Sequence, residues 1–295
     1  MNFGMRFRFG SVCVLTLLRV MAVFAAPQKY DVTGLLLKVD DTYRNITVSC
    51  RAIPGYMDAM VMSFPVHGKL PTDLQTGAAI EFDLVVEKGS SYAANLRVKP
   101  FESLELDPAQ ARRLKLMEGA IDVKTPAHAP VHIGQPVPDF LLTDQNHRPV
   151  SLGQFAGKVV ALTFIYTRCP LPDYCIRLTN NFGILQRRFR SRMGQDLILL
   201  TVVIDPIHDQ PDALKNYART WKADSRNWRF LTGPVADIQR LCQRFDMAFY
   251  PEEALFVHSF HTVVIGRKGE LAANLEGNEF TAVQLGDMVQ TVMDR

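Results

Sequence analysis

Cys169 and Cys175 stand where an apolar run, residues 159–166, gives way to a helical pattern over residues 175–190. A strand that hands over to a helix leaves unpaired backbone N–H groups and the positive end of the helix dipole beside the junction. That environment favours thiolate, the form of cysteine that attacks disulfides and binds soft metal ions. The pair therefore reads as ligand or nucleophile chemistry, with a loop-tightening disulfide or two inert buried thiols as the plainer alternatives. Five residues separate the sulfurs, Pro170 and Pro172 among them. This spacing predicts Cys169 in a loop and Cys175 in the first turn of the helix.

A second sulfur-rich stretch begins at Cys50 and continues through Met57, Met60 and Met62. Met60 and Met62, two apart, project from the same face of a strand, and Met57 in the preceding turn can fold back over them. Thioether sulfur is a neutral, soft donor that selects Cu(I) or Ag(I) without losing a proton. The alternatives are methionine as core filler and Cys50 as a small buried residue. Cys242, at helical spacing with Ile238 and Phe245, reads as core.

The elements that must position these groups fall into two sets. Residues 30–98 alternate in short strand-like runs, 32–39, 45–49, 60–66, 79–86 and 92–98, separated by Gly, Pro, Asp and Ser. Five short strands in that length predict a small all-β barrel of the OB type over residues 30–100. A connecting helix at 107–118 and a proline-spaced linker at 125–138 occupy the region 101–134. From residue 135 to 295 strand and helix patterns alternate, which predicts an α/β unit. Its strands fall at 159–166, 197–204, 261–265 and 270–274, and its helices at 175–190, 212–222, 235–245 and 281–293.

Composition bounds the function. The 295 residues are 47% hydrophobic and 21% charged with a net charge of +3, and no block of like charges is present, which speaks against disorder and against a nucleic-acid partner. Residues 1–26 read as a secretory signal: Arg6 and Arg8 precede an apolar run that ends in small residues at Ala25 and Ala26. Its length and Arg19 favour cleavage over a retained membrane tether. The expected location is therefore periplasmic or otherwise exported, with anchoring at the inner membrane if the signal stays. Few cysteines for an exported chain of this length argues against a disulfide scaffold.

Taken together, Gln135-Pro-Val-Pro-Asp-Phe140, the strand ending in Cys169, Val203-Ile-Asp205-Pro206 with Asp209 and Pro211, and His258-Ser-Phe-His-Thr-Val-Val-Ile-Gly266 followed by Gly269 resemble the Sco/SenC family. The resemblance covers residues 133–295. It implies a thioredoxin-like domain that binds copper through Cys169, Cys175 and His258, with Asp205 near the site, and that helps assemble the CuA centre of a cytochrome c oxidase subunit. His261 competes with His258 for the third position, but His258 has the family's spacing to Gly266 and Gly269, and His261 reads as a structural residue opening a strand. The family usually places three residues between its cysteines, so the five found here put copper affinity and disulfide closure in question. Two thiolates and an imidazole suit Cu(I), with Cu(II) as the second oxidation state to consider.

The segment from Cys50 to Met62 is similar to the copper-binding barrel of the CusF type, in which a histidine, an aromatic or methionine, and two methionines spaced by one residue surround Cu(I). Carried over, the site would comprise Cys50, Met57, Met60 and Met62, with Cys50 in the place of the usual histidine. The resulting expectation is an exported copper metallochaperone with up to two coppers per chain. The alternative is a thiol-disulfide oxidoreductase of the thioredoxin superfamily, in which Cys169 and Cys175 would be catalytic and the barrel a docking module.

Overall fold

The computed structural model describes residues 27–87, 89–100, 129–169, 172–247, 249–252, 255–258 and 260–295, with 249–252 and 255–258 described in backbone alone. The expected signal (1–26), the connecting helix (107–118) and residues 125–128 of the linker lie outside the described residues.

Strands β1 (Gln28–Val39), β2 (Asn45–Cys50), β3 (Met60–His67), β4 (Ala79–Glu87) and β5 (Ser90–Val98) form a closed barrel in the order β1-β2-β3-β5-β4. Closure leaves no edge strand exposed. It requires β1 to serve two neighbours, and Gly34 makes that possible: it faces Cys50 on β2 and Ile80 on β4. A Cβ there would come within 2.4 Å of a Val48 methyl, so a larger residue would push β2 away. The barrel core is filled by Leu36, Ile46, Val48, Phe64, Ile80, Phe82 and Leu84, with Phe64 and Phe82 meeting edge to face at 5.2 Å.

The apolar triplet Leu35-Leu36-Leu37 shows how the barrel joins the rest. With a period of two, Leu36 points into the barrel while Leu35 and Leu37 point out. The outer pair is fully buried as well, in the core of the second unit. A strand that is apolar on both faces is a strand covered on both sides.

That second unit is built on a seven-stranded sheet, ordered β14-β13-β8-β9-β10-β6-β7. Its members are β6 (Leu141–Asp144), β7 (Pro149–Ser151), β8 (Val159–Ile165), β9 (Leu197–Val203), β10 (Trp228–Thr232), β13 (His261–Ile265) and β14 (Leu271–Glu276). β8, β9 and β10 run parallel, and β13 lies antiparallel to β8. Every residue of β8 and β9 is buried, as expected for central strands. The helices are α1 (Arg177–Arg188), α2 (Pro211–Thr220), α3 (Val235–Gln243) and α4 (Ala282–Met293). A separate hairpin pairs β11 (Phe249–Glu252) with β12 (Leu255–His258). This is a thioredoxin-like α/β fold behind a small all-β barrel, as the patterning predicts.

The helix α4 lies between the two units. Thr281 caps it, its hydroxyl accepting from the Gln284 N–H while the Gln284 side chain accepts from the Thr281 N–H. The same Gln284 amide donates to the Ser49 carbonyl of β2. Among the described residues no helix is long and apolar enough to cross a membrane.

Candidate metal centre

β8 delivers the chain to the site as a fully buried strand, after which Tyr166 to Cys169 turn back on themselves, the Cys169 N–H donating to the Tyr166 carbonyl at 3.3 Å. The sequence predicts that Cys175 begins the next helix. Instead, residues Pro172–Ile176 form a wide π-type turn, broken at Tyr174 (φ −111, ψ −109), and α1 starts only at Arg177. The reason is local. Pro172 cannot donate to a helical ladder, and the Tyr174 ring is held against Phe260, with centroids 5.0 Å apart. The Cys175 carbonyl is taken up by the Thr179 hydroxyl at 2.7 Å.

The wide turn absorbs the long spacing between the cysteines. Cys169 is 9% and Cys175 0% exposed, and the two thiols are hydrogen-bonded to each other. The expectation of a thiolate stabilised by a helix N-terminus is not met at Cys175. The hydrogen bond to Cys169, burial and the proximity of a charge on Cys169 together push the Cys175 thiol well above the ordinary range, against weaker backbone hydrogen bonds. Cys175 is thus held as a thiol directly beside Cys169. The pair can share a soft cation or close to a disulfide, and either outcome requires the Cys175 proton to leave.

Two aspartates brace the turn from the loop after β9. Asp209 is buried and accepts from the Thr167 N–H at 3.0 Å and from the Thr167 hydroxyl. Asp205, also buried, accepts from Arg168 Nη2 at 2.6 Å and lies 3.0 Å from His208 Nδ1. Burial alone would raise the Asp205 carboxyl, but the hydrogen bonds and charges of His208 and Arg168 outweigh it and hold the group below the usual range. Burial pushes the Asp209 carboxyl up, opposed by its bonds to Thr167. Asp205 therefore acts on Arg168, the residue before Cys169. Thr167, Arg168 and His208 are positioning residues that motif reading passed over, and Asp209, quoted there only as part of a motif, is a fourth. Their signal was present: Asp205 and Asp209 follow a fully apolar strand, so two buried carboxylates there must find donors.

His258 ends β12, opposite Phe249. The loop position expected for it is replaced by a strand end; its side chain lies outside the described residues. His261 opens β13, is buried, and bonds Asn274 through Nδ1 at 2.9 Å, with burial lowering its pKa. It is structural, as read from sequence. Cys242 is buried in α3, and burial pushes its thiol up strongly. Among the described residues no three His, Cys, Asp or Glu side chains converge as a metal cage.

In the barrel, Cys50 pairs across β2 and β3 with Met60, and Val48 with Met62, so these side chains share the inner face at one end. Ile53 bridges to Met57. Met57 and Met62 pack against the barrel core that contains Cys50, whereas Met60 is 50% exposed on the rim. The Cys50 thiol donates to the Val48 carbonyl at 3.8 Å, and burial pushes it up to about 12. Next to this end Tyr56 stacks on Tyr30, with centroids 4.0 Å apart.

A SCO1 protein homolog of Bacillus subtilis (strain 168) is 28% identical over 149 residues, 49% of this chain and 76% of that protein. A protein of Stutzerimonas stutzeri, named provisionally as copper-binding, is 27% identical over 144 residues, 47% of this chain and 68% of its own length. Among solved structures, Arabidopsis thaliana ScoI with copper bound matches with a TM-score of 0.48 at 20% identity, covering 56% of this chain and all of that one. The model of the SCO1/SenC family matches residues 132–294. That match spans more than half of the sequence and contains the cysteine turn, its aspartate braces and β12 to α4, and the chain therefore belongs to the SCO1/SenC family.

Proposed function

We propose that this protein is an exported copper metallochaperone that binds Cu(I) through Cys169, Cys175 and His258 and hands it to a protein acceptor. The observation that carries the reading is the buried contact between the Cys169 and Cys175 thiols. Two sulfurs already side by side need little rearrangement to grip a soft monovalent ion, and zinc would ask for a fourth ligand or a water. Family membership and the copper-binding name of the Stutzerimonas relative support it. Copper is cargo here, so the acceptor must present a site of comparable softness; the CuA centre of a cytochrome c oxidase subunit has that character. The signal-like pattern of residues 1–26 supports an exchange outside the cytoplasm, in the periplasm, by a chain either free or tethered by an uncleaved leader.

The barrel is proposed as a second Cu(I) site made by Cys50, Met57, Met60 and Met62. Titration of the reduced chain with Cu(I) against a chromophoric competitor tests both sites. Two equivalents should bind; Cys169→Ala or His258→Ala should remove one, and Met60→Ala with Met62→Ala the other. Retention of both coppers in the Cys169→Ala chain would refute the assignment. Thiol-disulfide exchange is the second reading, favoured by the same sulfur contact. It does not require His258, so wild-type copper binding by His258→Ala together with disulfide reductase turnover would select it.

A further inference from the structure

Residues 278–280, which lead into α4, are held from two directions. From the cysteine turn, the Asp173 carbonyl accepts from Asn278 Nδ2 at 2.5 Å, and from α1 Arg177 Nη2 donates to the Glu279 carbonyl at 3.1 Å and Asn181 Nδ2 to the Phe280 carbonyl at 3.4 Å. From the barrel, Arg51 Nη2 donates to the same Glu279 carbonyl at 2.8 Å, and Lys99 Nζ pairs with the Glu279 carboxylate at 3.1 Å. Two residues before Arg51, the Ser49 hydroxyl donates to Asp287 of α4 at 2.7 Å and the Ser49 carbonyl accepts from Gln284 of α4 at 3.1 Å. The loop is thus held on one side by Arg51, next to Cys50, and on the other by Asp173 and Arg177, each two residues from Cys175.

From this we infer that the barrel is a positioning element for the cysteine turn: Arg51 and Lys99 fix residues 278–280, and Asn278, donating to the Asp173 carbonyl, in turn fixes the π-type turn that buries Cys175, while the Glu279 carbonyl receives Arg177 at the start of α1. The turn is also held by the Tyr174–Phe260 packing and by the Thr179 hydroxyl on the Cys175 carbonyl, and the loop adds a bond at Asp173, ahead of the break at Tyr174. It lacks a regular helical ladder, and Pro172 contributes no N–H. The bond to its Asp173 carbonyl comes from Asn278 of the loop, and the loop's outer face is the barrel seat. A family domain without the barrel would have to define this turn by other contacts. The inference concerns the metal-free thiols, so it stands or falls independently of the copper reading.

Residue-resolved alkylation of the full, reduced, metal-free chain tests it. Cys175 is fully buried, so iodoacetamide reaches it only when the turn opens, and Cys242, buried in α3, reports opening of the whole α/β unit. Arg51→Ala combined with Lys99→Ala, both on the barrel and outside either sulfur site, should raise the Cys175 rate about fivefold, the worth of roughly one hydrogen bond, and leave Cys242 unchanged. Asn278→Ala should do at least as much from the other side of the loop, and Arg51→Lys should return part of the protection. An unchanged Cys175 rate in the barrel-side variant would overturn the inference. So would a parallel rise at Cys175 and Cys242, which would mean that the barrel merely stabilises the whole unit.

Discussion

Cys50 and Cys175 are both buried thiols, yet their surroundings differ in kind. Cys50 sits at the end of an apolar barrel with a backbone carbonyl as its hydrogen-bond acceptor, and burial alone lifts it to about 12. Cys175 is held against a second thiol, in a turn braced by Asp205, Asp209, Arg168 and Thr167. Burial among hydrocarbons makes a sulfur inert. Burial beside another sulfur, on a polar frame that fixes both, makes a dithiol ready to exchange its protons for a metal ion. In the barrel the soft donors that need no ionisation are the thioethers, so Cys50 should be the junior partner of Met57, Met60 and Met62.

The comparison is sharpest in metal affinity. Cys175→Ser should weaken Cu(I) binding at its site by about 100-fold or more, about 2.7 kcal/mol, while Cys50→Ser should change the barrel site by less than about tenfold, both by competition titration. Equal losses at the two sites would erase the distinction. Next in size is the polar frame. Thr167→Val removes a hydroxyl from buried Asp209 and should cost about 2 kcal/mol in urea unfolding, because the carboxylate keeps only the backbone N–H.

Alkaline stability separates the two regions further. Folding raises the Cys50 thiol from the ordinary 9.0 to about 12. The folded state therefore binds this proton more tightly than the unfolded chain, a contribution complete below pH 9 and lost as pH climbs toward 12. Between pH 8 and pH 10 the wild type should lose about 1 kcal/mol from this group, and Cys50→Val should show a correspondingly flatter profile in denaturant unfolding at each pH. The smallest effect belongs to Met60. Half exposed on the rim, it contributes little packing, so Met60→Ala should change stability by under about 0.5 kcal/mol even as it impairs copper capture.

The architecture was legible in the sequence wherever periodicity was strong. The period-two runs gave all five barrel strands to within a few residues, and the continuous apolar stretches gave β8 and β9. What pattern could not reach was set by tertiary contacts. β10 (Trp228–Thr232) is short and mixed in character, yet it lies inside the sheet, with the Trp228 indole N–H donating to buried Thr201 at 3.0 Å. The turn at Cys175 reads as helix because Tyr174 and Ile176 are compatible with one; the packing of Tyr174 on Phe260 and the bonds from residues 278–280 decide otherwise. Of the copper ligands expected in the α/β unit, the two cysteines are brought together despite their long spacing, and His258 is placed only through the backbone of β12. The clasp of the barrel on α4 had no sequence signature beyond the doubly apolar Leu35-Leu36-Leu37.

Copper K-edge X-ray absorption on the full chain carrying Met60→Ala and Met62→Ala, loaded with one equivalent of Cu(I), tests the central claim most directly. The account predicts a first shell dominated by sulfur that loses sulfur when Cys169→Ser or Cys175→Ser is added. A first shell of nitrogen and oxygen alone, or one indifferent to either substitution, would contradict it.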